Sequence, residues 1–314
     1  MLKEKISFKN ILFLLLSVAI GVVFIFSAWS KIPTLEQFGW IIVENTFLGW
    51  NAAEILARLL IGLEFFIGLL FISCFRIRKL AIPLSFITLL LFSAYLVIIF
   101  IQHGNNSNCG CFGEVLPMTP LESLVKNAIL LVAIYILHFI KTEWRLPYDR
   151  WIVFGTLMIC LSLPFVLSIP DCFYLYDKPK IENNPIPLSL LYTSKNNKAP
   201  DQELRKGKHI IAFMSLTCEH CRKAAKKMRI MHEKHPEIPF YFVLNGDSTN
   251  MTSFFEETQA QKIPHSMFNG VEQFVAMAGK KGVPSIKWME DTTEIKHTNY
   301  IILKDKDVLA WLKQ

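Results

Sequence analysis

The 314-residue sequence has no internal repeat, no low-complexity tract and no second Cys-x-x-Cys motif besides Cys218–Cys221. The first two absences exclude repeat arrays and biased polar segments. The third, with no histidine pair at ligand spacing, leaves zinc as the weaker alternative for that motif. Charged residues make up only 19% of the chain. No motif supports nucleic-acid binding, although the net charge is +7.

Apolar residues are what the chain has in excess. They account for 52% of the sequence, with 25 phenylalanines, and the mean hydropathy is +0.36. Five stretches approach or exceed the roughly 20 apolar residues that cross a bilayer. They lie near residues 11–29, 54–75, 80–101, 121–140 and 151–169. The sequence therefore predicts a multi-pass α-helical bundle in contact with the lipid bilayer.

The basic residues that flank these stretches predict the orientation. They cluster before the first span and in alternate loops: Lys3, Lys5, Lys9, Arg76, Arg78, Lys79, Lys141, Arg145 and Arg150. The other loops carry almost no basic charge, with Lys31 as the exception. By the positive-inside rule the N-terminus is cytoplasmic, and the chain leaves the fifth span outside a bacterial inner membrane. Ser27–Ser30 is a poor cleavage site, so we interpret the first span as retained and not as a signal peptide.

Cys218 and Cys221 follow an apolar run rich in β-formers, Ile210–Leu216, and precede a basic stretch that favours helix. This pattern predicts that Cys218 lies where a strand ends and a helix begins. Free backbone N–H groups and the helix dipole stabilise a thiolate there. Cys221, one turn later, can close a disulfide with it. The alternatives are a zinc half-site or two unrelated buried cysteines. The Arg222–Lys227 run is interpreted as a solvated face that could also raise thiolate content.

A second pattern occurs about sixty residues later, in Val271–Ile286, where a helix leads to Gly282-Val283-Pro284 and then to a strand. In this order the two patterns resemble the signatures of the thioredoxin superfamily over residues 186–314. The resemblance implies an α/β thioredoxin-like domain with a cis Val283–Pro284 bond beside Cys218 that faces substrate. Thr217 stands where many members carry tryptophan. Between the cysteines, His220 favours the reduced thiolate and Glu219 opposes it, or His220 is a solvated helix residue.

The segment between the fifth span and this domain is rich in proline and asparagine. We expect an extracytoplasmic linker over residues 170–185 and a short first strand near 186–193. The expected domains are therefore a membrane domain at 1–150, a fifth span at 151–169, the linker, and the soluble domain at 186–314.

A second cysteine pair occupies the outer loop after the third predicted span. Cys109 and Cys111 are separated by one glycine within Gln102–Glu114. A Cys-x-Cys disulfide closes a small, strained ring that is easily reduced, so we interpret the pair as a redox site. A metal chelate with His103, or pairing with other cysteines, are the alternatives.

The motif Cys109–Gly113, with Ser30–Ile32 and Arg58–Gly68, resembles the MauE branch of the DoxX-like membrane proteins over about residues 8–141. The resemblance implies a four-helix membrane bundle. It also implies extracytoplasmic disulfide chemistry or maturation of partner proteins.

Two ionisable residues lie inside the second predicted span. Arg58 can pair with Glu54 one turn earlier. Glu64 has no i±4 partner, so it either receives a proton coupled to quinone or thiol chemistry or bonds a neighbouring helix. Cys74 and Cys160 are expected to be inert. Cys172 either relays electrons between the two pairs or has no role.

Together these patterns predict a membrane thiol–disulfide oxidoreductase. Cys218 is the exposed nucleophile, Cys221 resolves the mixed disulfide, Pro284 shapes the substrate groove, and Cys109/Cys111 exchange electrons with that pair. The expected partners are extracytoplasmic protein thiols or disulfides, with no metal. The bundle is expected to exchange electrons either with a quinone, the candidate cofactor, or with a cytoplasmic donor. The alternative is a non-catalytic assembly factor that holds a client protein.

Overall fold

A computed structural model describes residues 8–106, 116, 118–140, 150–170, 180–193, 197–279 and 282–314. The chain divides into two compact units, Met1–Pro170 and Asp171–Gln314. The first is the membrane unit and the second is the soluble unit, and each has its own core.

The described part of the membrane unit is helical. Its helices are α1 (Phe8–Lys31), α2 (Leu35–Asn45), α3 (Trp50–Ile72), α4 (Ile82–His103), α5 (Pro120–Phe139) and α6 (Arg150–Leu167). A π-helical turn, Ile77–Ala81, precedes α4, and a 3-10 turn, Gly104–Asn106, follows it. Four helices are long and apolar enough to cross a membrane: Phe8–Lys31, Trp50–Ile72, Ile77–Gln102 and Pro120–Phe139. The predicted four-helix bundle is confirmed. The apolar part of α6, Trp151–Leu167, is shorter, so the fifth span stays a prediction.

Glycines allow close helix crossings in this bundle. A Cβ on Gly68 would lie 2.9 Å from the carbonyl oxygen of Gly21, so α1 and α3 touch through their backbones. A Cβ on Gly62 would lie 2.7 Å from the carbonyl oxygen of Cys160, which brings α3 equally close to α6. Small residues at such crossings permit the dense packing that holds membrane helices together.

Two hydrogen bonds show which connections share an end of the bundle. Nη2 of Arg78, in the turn before α4, donates to the carbonyl of Ile140 just after α5, at 3.0 Å. At the other end, Oδ1 of Asn105 accepts from the backbone N–H of Leu121, at 3.1 Å. The loops therefore alternate between the two ends in the way that the basic-residue pattern requires.

The soluble unit contains a six-stranded sheet. The strands are β1 (Lys180–Pro185), β2 (Lys208–Ser215), β3 (Phe240–Asn245), β4 (His265–Met267), β5 (Ser285–Glu290) and β6 (Thr293–Thr298), in the order β1-β6-β5-β2-β3-β4. The β2–β3 and β3–β4 pairs are parallel, and the other three pairs are antiparallel. The expected strand near 186–193 is wrong. The first strand is Lys180–Pro185, inside the expected linker, and Leu190–Thr193 is the short helix α7.

Four further helices complete this unit: α8 (Glu219–Lys234), α9 (Met251–Thr258), α10 (Val271–Ala278) and α11 (Asp305–Leu312). The strand β2 is buried on both faces, which accounts for its continuous apolar run. On one face Phe213 packs edge-on against Phe274 of α10, with ring centroids 5.8 Å apart. A central β2–α8–β3 unit and an antiparallel β5–β6 hairpin make this a thioredoxin-like fold, as the sequence predicted.

Candidate redox site

Cys218 lies between the end of β2 and the start of α8. It is the N-cap of the helix, with φ −82° and ψ 121°, and its Sγ accepts from the backbone N–H of Cys221 at 3.3 Å. The side chain is partly exposed. A sulfur in this position faces the positive end of the helix dipole and an N–H that has no partner within the helix. Both features suit a sulfur that acts as a nucleophile.

Cys221 is fully buried one turn further along. Its Sγ accepts from the backbone N–H of Ser215 at 3.4 Å. Burial, together with the hydrogen bond to Cys218, raises the pKa of the Cys221 thiol far above its ordinary value. The two sulfurs therefore differ: one is accessible, and the other is a shielded thiol.

The loop before β5 also borders the cysteine pair. The Val283–Pro284 peptide bond is cis. The carbonyl oxygen of Val283 lies 3.8 Å from Sγ of Cys218. The structure thus brings the Pro284 loop and Cys218 together, as the thioredoxin resemblance implied.

The two residues between the cysteines have different surroundings. Glu219 is exposed, and its carboxylate pairs with Lys223 on the next turn at 3.2 Å. This pairing offsets the charge by which Glu219 opposes a thiolate. His220 is also exposed, but its Nδ1 lies 3.3 Å from the hydroxyl of Tyr300. Its exposure agrees with a solvated helix residue, and one ring nitrogen also contacts the tyrosine.

The basic run after the cysteines is not a solvated face. Arg222 bonds the carbonyl of Leu216 at 3.0 Å and pairs with Glu257 of α9. Lys226 reaches the same carboxylate at 3.2 Å. The buried Lys227 donates to the carbonyl of Ile301 at 2.9 Å. These cations tie the active-site turn and α8 to neighbouring segments, because each finds an oxygen partner within the fold.

Sequence reasoning missed a buried charge cluster on the β5–β6 hairpin. Nζ of Lys287 lies 2.6 Å from Oε2 of Glu294, whose Oε1 is 3.0 Å from Nδ1 of His297. Burial alone would raise the pKa of Glu294, but the bonds from His297 and Lys287 hold it below the usual value. The available signal was a lysine between the apolar residues Ile286 and Trp288, three residues after Pro284.

In the membrane unit both predicted ionisable residues are paired. Arg58 contacts the carboxylate of Glu54 at 3.1 Å, and its Nε donates to the carbonyl of Ser168 at 3.1 Å. Glu64 binds the buried Lys31 of α1, with Nζ 2.7 Å from Oε2. Of the two alternatives for Glu64, the structure shows the bond to a neighbouring helix. Lys31 is not an outer-loop charge, because it ends α1 and is only 2% exposed.

A cavity of about 30 Å³ lies beside this ion pair. Polar groups in its lining include Ser27, Lys31, Glu64, Tyr95 and Asn127. This volume holds about one water molecule, and a quinone ring does not fit in it. A larger cavity, about 310 Å³, lies between α3 and α6, but its lining is apolar apart from two hydroxyls that already donate to helix carbonyls. The quinone therefore stays a prediction, since a head-group site needs room together with a few convergent polar groups.

Three cysteines of the sequence-based interpretation, Cys109, Cys111 and Cys172, lie outside the described residues. Within the described part, Cys74, Cys160, Cys218 and Cys221 are free thiols. Over the same residues no group of three His, Cys, Asp or Glu side chains is arranged to hold a metal ion.

The fold and the site define a membrane protein whose soluble unit is a thioredoxin-like domain with a Cys-x-x-Cys pair at a helix N-terminus. Residues 9–140 match the sequence model of the family described as methylamine utilisation protein MauE, so the membrane unit is similar to that family. This match covers nearly the same residues as the resemblance seen in the sequence.

One relative aligns with both units. Protein TlpB of Flavobacterium psychrophilum is 26% identical over 331 residues, which cover 90% of each chain. Among solved structures, the thioredoxin domain of a thiol-disulfide oxidoreductase from Bacteroides vulgatus is 13% identical, covering 35% of this chain and 79% of that one, with a TM-score of 0.30. A secreted Mycobacterium tuberculosis disulfide oxidoreductase, described as homologous to E. coli DsbE, is 14% identical over 41% and 92% of the two chains, with a TM-score of 0.30.

Proposed function

We propose that the protein is a membrane-bound thiol–disulfide oxidoreductase that acts on protein dithiols or disulfides through Cys218 and Cys221. The observation that carries the proposal is the asymmetry of the pair. Cys218 caps a helix N-terminus and is partly exposed, whereas Cys221 is completely buried within one turn of it. An accessible nucleophile with a shielded resolving thiol is the arrangement that thiol–disulfide exchange requires.

In the reducing direction, the Cys218 thiolate attacks one sulfur of a partner disulfide. A Cys218–partner bond forms, the partner S–S bond breaks, and the released partner sulfur leaves as a thiolate that takes a proton. Cys221 then loses its proton and attacks Cys218, forming the Cys218–Cys221 disulfide and releasing the second partner thiol. Two electrons pass from this pair to the partner. The backbone N–H groups of Cys221 and Ser215 stabilise the sulfur charges that develop.

The reverse sequence oxidises a partner dithiol by the same steps. In that direction the partner thiolate attacks the Cys218–Cys221 disulfide at the accessible Cys218. The cis Pro284 loop, 3.8 Å away through the Val283 carbonyl, supports the proposed role of a groove for the partner chain.

The proposal extends to the membrane unit. We place the thioredoxin-like domain and the Cys109/Cys111 pair outside the cytoplasm of a bacterial inner membrane, with the N-terminus inside. Support comes from the three basic residues between α3 and α4, and from the burial of Lys31, which removes the exception to the charge pattern. Cys109 and Cys111 would exchange electrons with Cys218 and Cys221, so that membrane and soluble units act in one relay.

The test is trapping of the mixed disulfide in cells. Cys221→Ser removes the resolving sulfur, so partners should accumulate on Cys218 and be identified by mass spectrometry after non-reducing purification. The double variant Cys218→Ser/Cys221→Ser is the matched control and should trap nothing. If Cys221→Ser traps no more protein than the double variant, exchange at this pair is excluded, and a client-holding role becomes the better explanation.

A further inference from the structure

The imidazole of His220, between the two cysteines, contacts Tyr300, a buried tyrosine in the turn after β6. Its Nδ1 lies 3.3 Å from the hydroxyl oxygen of Tyr300, and the two ring centroids are 6.2 Å apart. His220 is exposed, whereas Tyr300 is only 7% exposed. The tyrosine is therefore the more tightly packed partner of this contact.

Tyr300 is held in place by its own chain segment. It follows β6 in a turn where Oδ1 of Asn299 accepts from the N–H of Ile302 at 3.0 Å. The buried ammonium of Lys227 donates to the carbonyl of Ile301 at 2.9 Å, and so links this turn to α8. The helix that carries His220 thus also anchors the turn that carries Tyr300. The distance between the two side chains is set by packing as well as by their own contact.

The contact occupies one of the two ring nitrogens. Within the part of the chain that the structure describes, Nδ1 bonds Tyr300 and Nε2 has no hydrogen-bond partner. A neutral imidazole carries its proton on one nitrogen only, and the partner of the other nitrogen selects which. When the tyrosine O–H donates to Nδ1, the proton resides on Nε2; when Nδ1 carries the proton, the tyrosine oxygen accepts the hydrogen bond.

We propose that Tyr300 is a positioning residue that acts through His220 on the redox equilibrium of the Cys218/Cys221 pair. By holding the ring in one orientation, it fixes the imidazole dipole within the active-site turn, two residues from Cys218. A fixed dipole stabilises developing charge more than a ring that samples many orientations, because no ordering cost remains when the charge develops. The inference rests on the proposed function, because it concerns the same cysteine pair.

The experiment measures the equilibrium of the pair with glutathione in the full-length protein in detergent. The oxidised fraction of Cys218/Cys221 is read by alkylation and mass spectrometry across a series of reduced-to-oxidised glutathione ratios. The variants are His220→Ala, Tyr300→Phe and the two together. Tyr192→Phe is the matched control. It also removes a hydrogen-bonded tyrosine hydroxyl, but the bonds of that hydroxyl go to the backbone of Gln202 and Leu204 and not to the active-site turn.

Loss of His220 should shift the equilibrium about tenfold toward the disulfide, equivalent to about 30 mV for a two-electron couple. Tyr300→Phe should shift it about threefold in the same direction, the double variant should match His220→Ala, and Tyr192→Phe should match the wild type. A wild-type equilibrium in Tyr300→Phe, or additive shifts in the double variant, would overturn the inference while leaving the proposed function intact. A wild-type pair that forms no disulfide at any glutathione ratio would overturn both.

Discussion

Lys31, the last residue of α1, donates from Nζ to both carboxylate oxygens of Glu64 in α3, at 2.8 and 2.7 Å. A third bond from the same ammonium goes to Oγ of Ser27, at 2.8 Å. The rings of Phe38 and Phe92 lie 5.7 and 5.8 Å from it. All three donors of the ammonium are used, and the pair is enclosed by aromatic side chains. It therefore joins two spans in surroundings where an unpaired charge is expensive.

Glu64→Gln should destabilise the membrane unit by about 3–5 kcal/mol, because it leaves the Lys31 ammonium buried without its counter-charge. The double variant Lys31→Met/Glu64→Gln should recover a large part of the loss, since no charge then remains. Thermal denaturation of the detergent-purified protein measures both effects. Equal loss in the single and double variants would show that Lys31 is satisfied without Glu64.

The orientation predicts which cysteines a membrane-impermeant maleimide reaches. In spheroplasts that have been reduced, Cys218 should be labelled. Cys74, in the basic connection between α3 and α4, should be labelled only after permeabilisation. Single-cysteine versions of the protein keep the two signals separate. Labelling of Cys74 but not Cys218 in intact spheroplasts would invert the topology and exclude an extracytoplasmic redox site.

The raised pKa of Cys221 predicts how alkylation depends on pH. An ordinary cysteine is about half thiolate at pH 8.5. In the reduced native protein, Cys221 should remain a thiol at that pH and stay unmodified by iodoacetamide, while Cys218 reacts. Because folding raises the pKa of Cys221, protonation of this thiol stabilises the folded state at any pH below the unfolded-state pKa. This contribution is lost as the pH rises from the unfolded-state pKa through the folded-state pKa.

The matched control for this alkylation is the same protein in denaturant, where both cysteines should react alike as the pH approaches 8.5. Peptide mass spectrometry quantifies each site. Similar rates for the two thiols in the native protein would contradict the division into nucleophile and resolving cysteine.

Arg222 should support the active-site turn through its bond to the Leu216 carbonyl. Arg222→Met removes this charged hydrogen bond, which is expected to contribute about 1.5–3 kcal/mol, and it releases Glu257. We expect several-fold slower exchange with a model disulfide. Arg229→Met on the same helix is the control. Arg229 pairs with Glu233, with 2.9 Å between the charged groups, and this pair is not part of the active-site turn. If both variants slow exchange equally, the effect belongs to the helix and not to the turn.

The proposed relay predicts the phenotype of Cys109→Ser/Cys111→Ser. Two sites in one chain meet at a high effective concentration, so exchange between them should outrun exchange with a separate protein. In cells the double variant should leave Cys218/Cys221 stranded in one redox state, although the purified protein still reacts with glutathione. Cys160→Ser is the control for loss of a cysteine in the same unit. A wild-type redox distribution in the double variant would separate the Cys109/Cys111 pair from the relay.

Much of the architecture could be predicted from local pattern. Long apolar runs predict the four spans because a bilayer demands a minimum helix length, and this prediction is confirmed. The apolar run before Cys218 predicts a buried strand, and the polar turn after it predicts the helix N-terminus, which the structure shows at Glu219. The first strand was wrongly placed, because Lys180–Pro185 has no apolar pattern and forms an edge strand only through its pairing with β6.

What the sequence by itself determined was the four spans, the buried strand before Cys218 and the two sulfurs at helical spacing, since these follow from short-range periodicity. Tertiary structure alone decided the partners of the polar groups that are distant in sequence. Lys31 and Glu64 are 33 positions apart, and His220 and Tyr300 are 80 apart. No local periodicity links residues at such separations. Only the packing of α1 on α3, and of α8 beside the turn after β6, brings them within hydrogen-bonding distance.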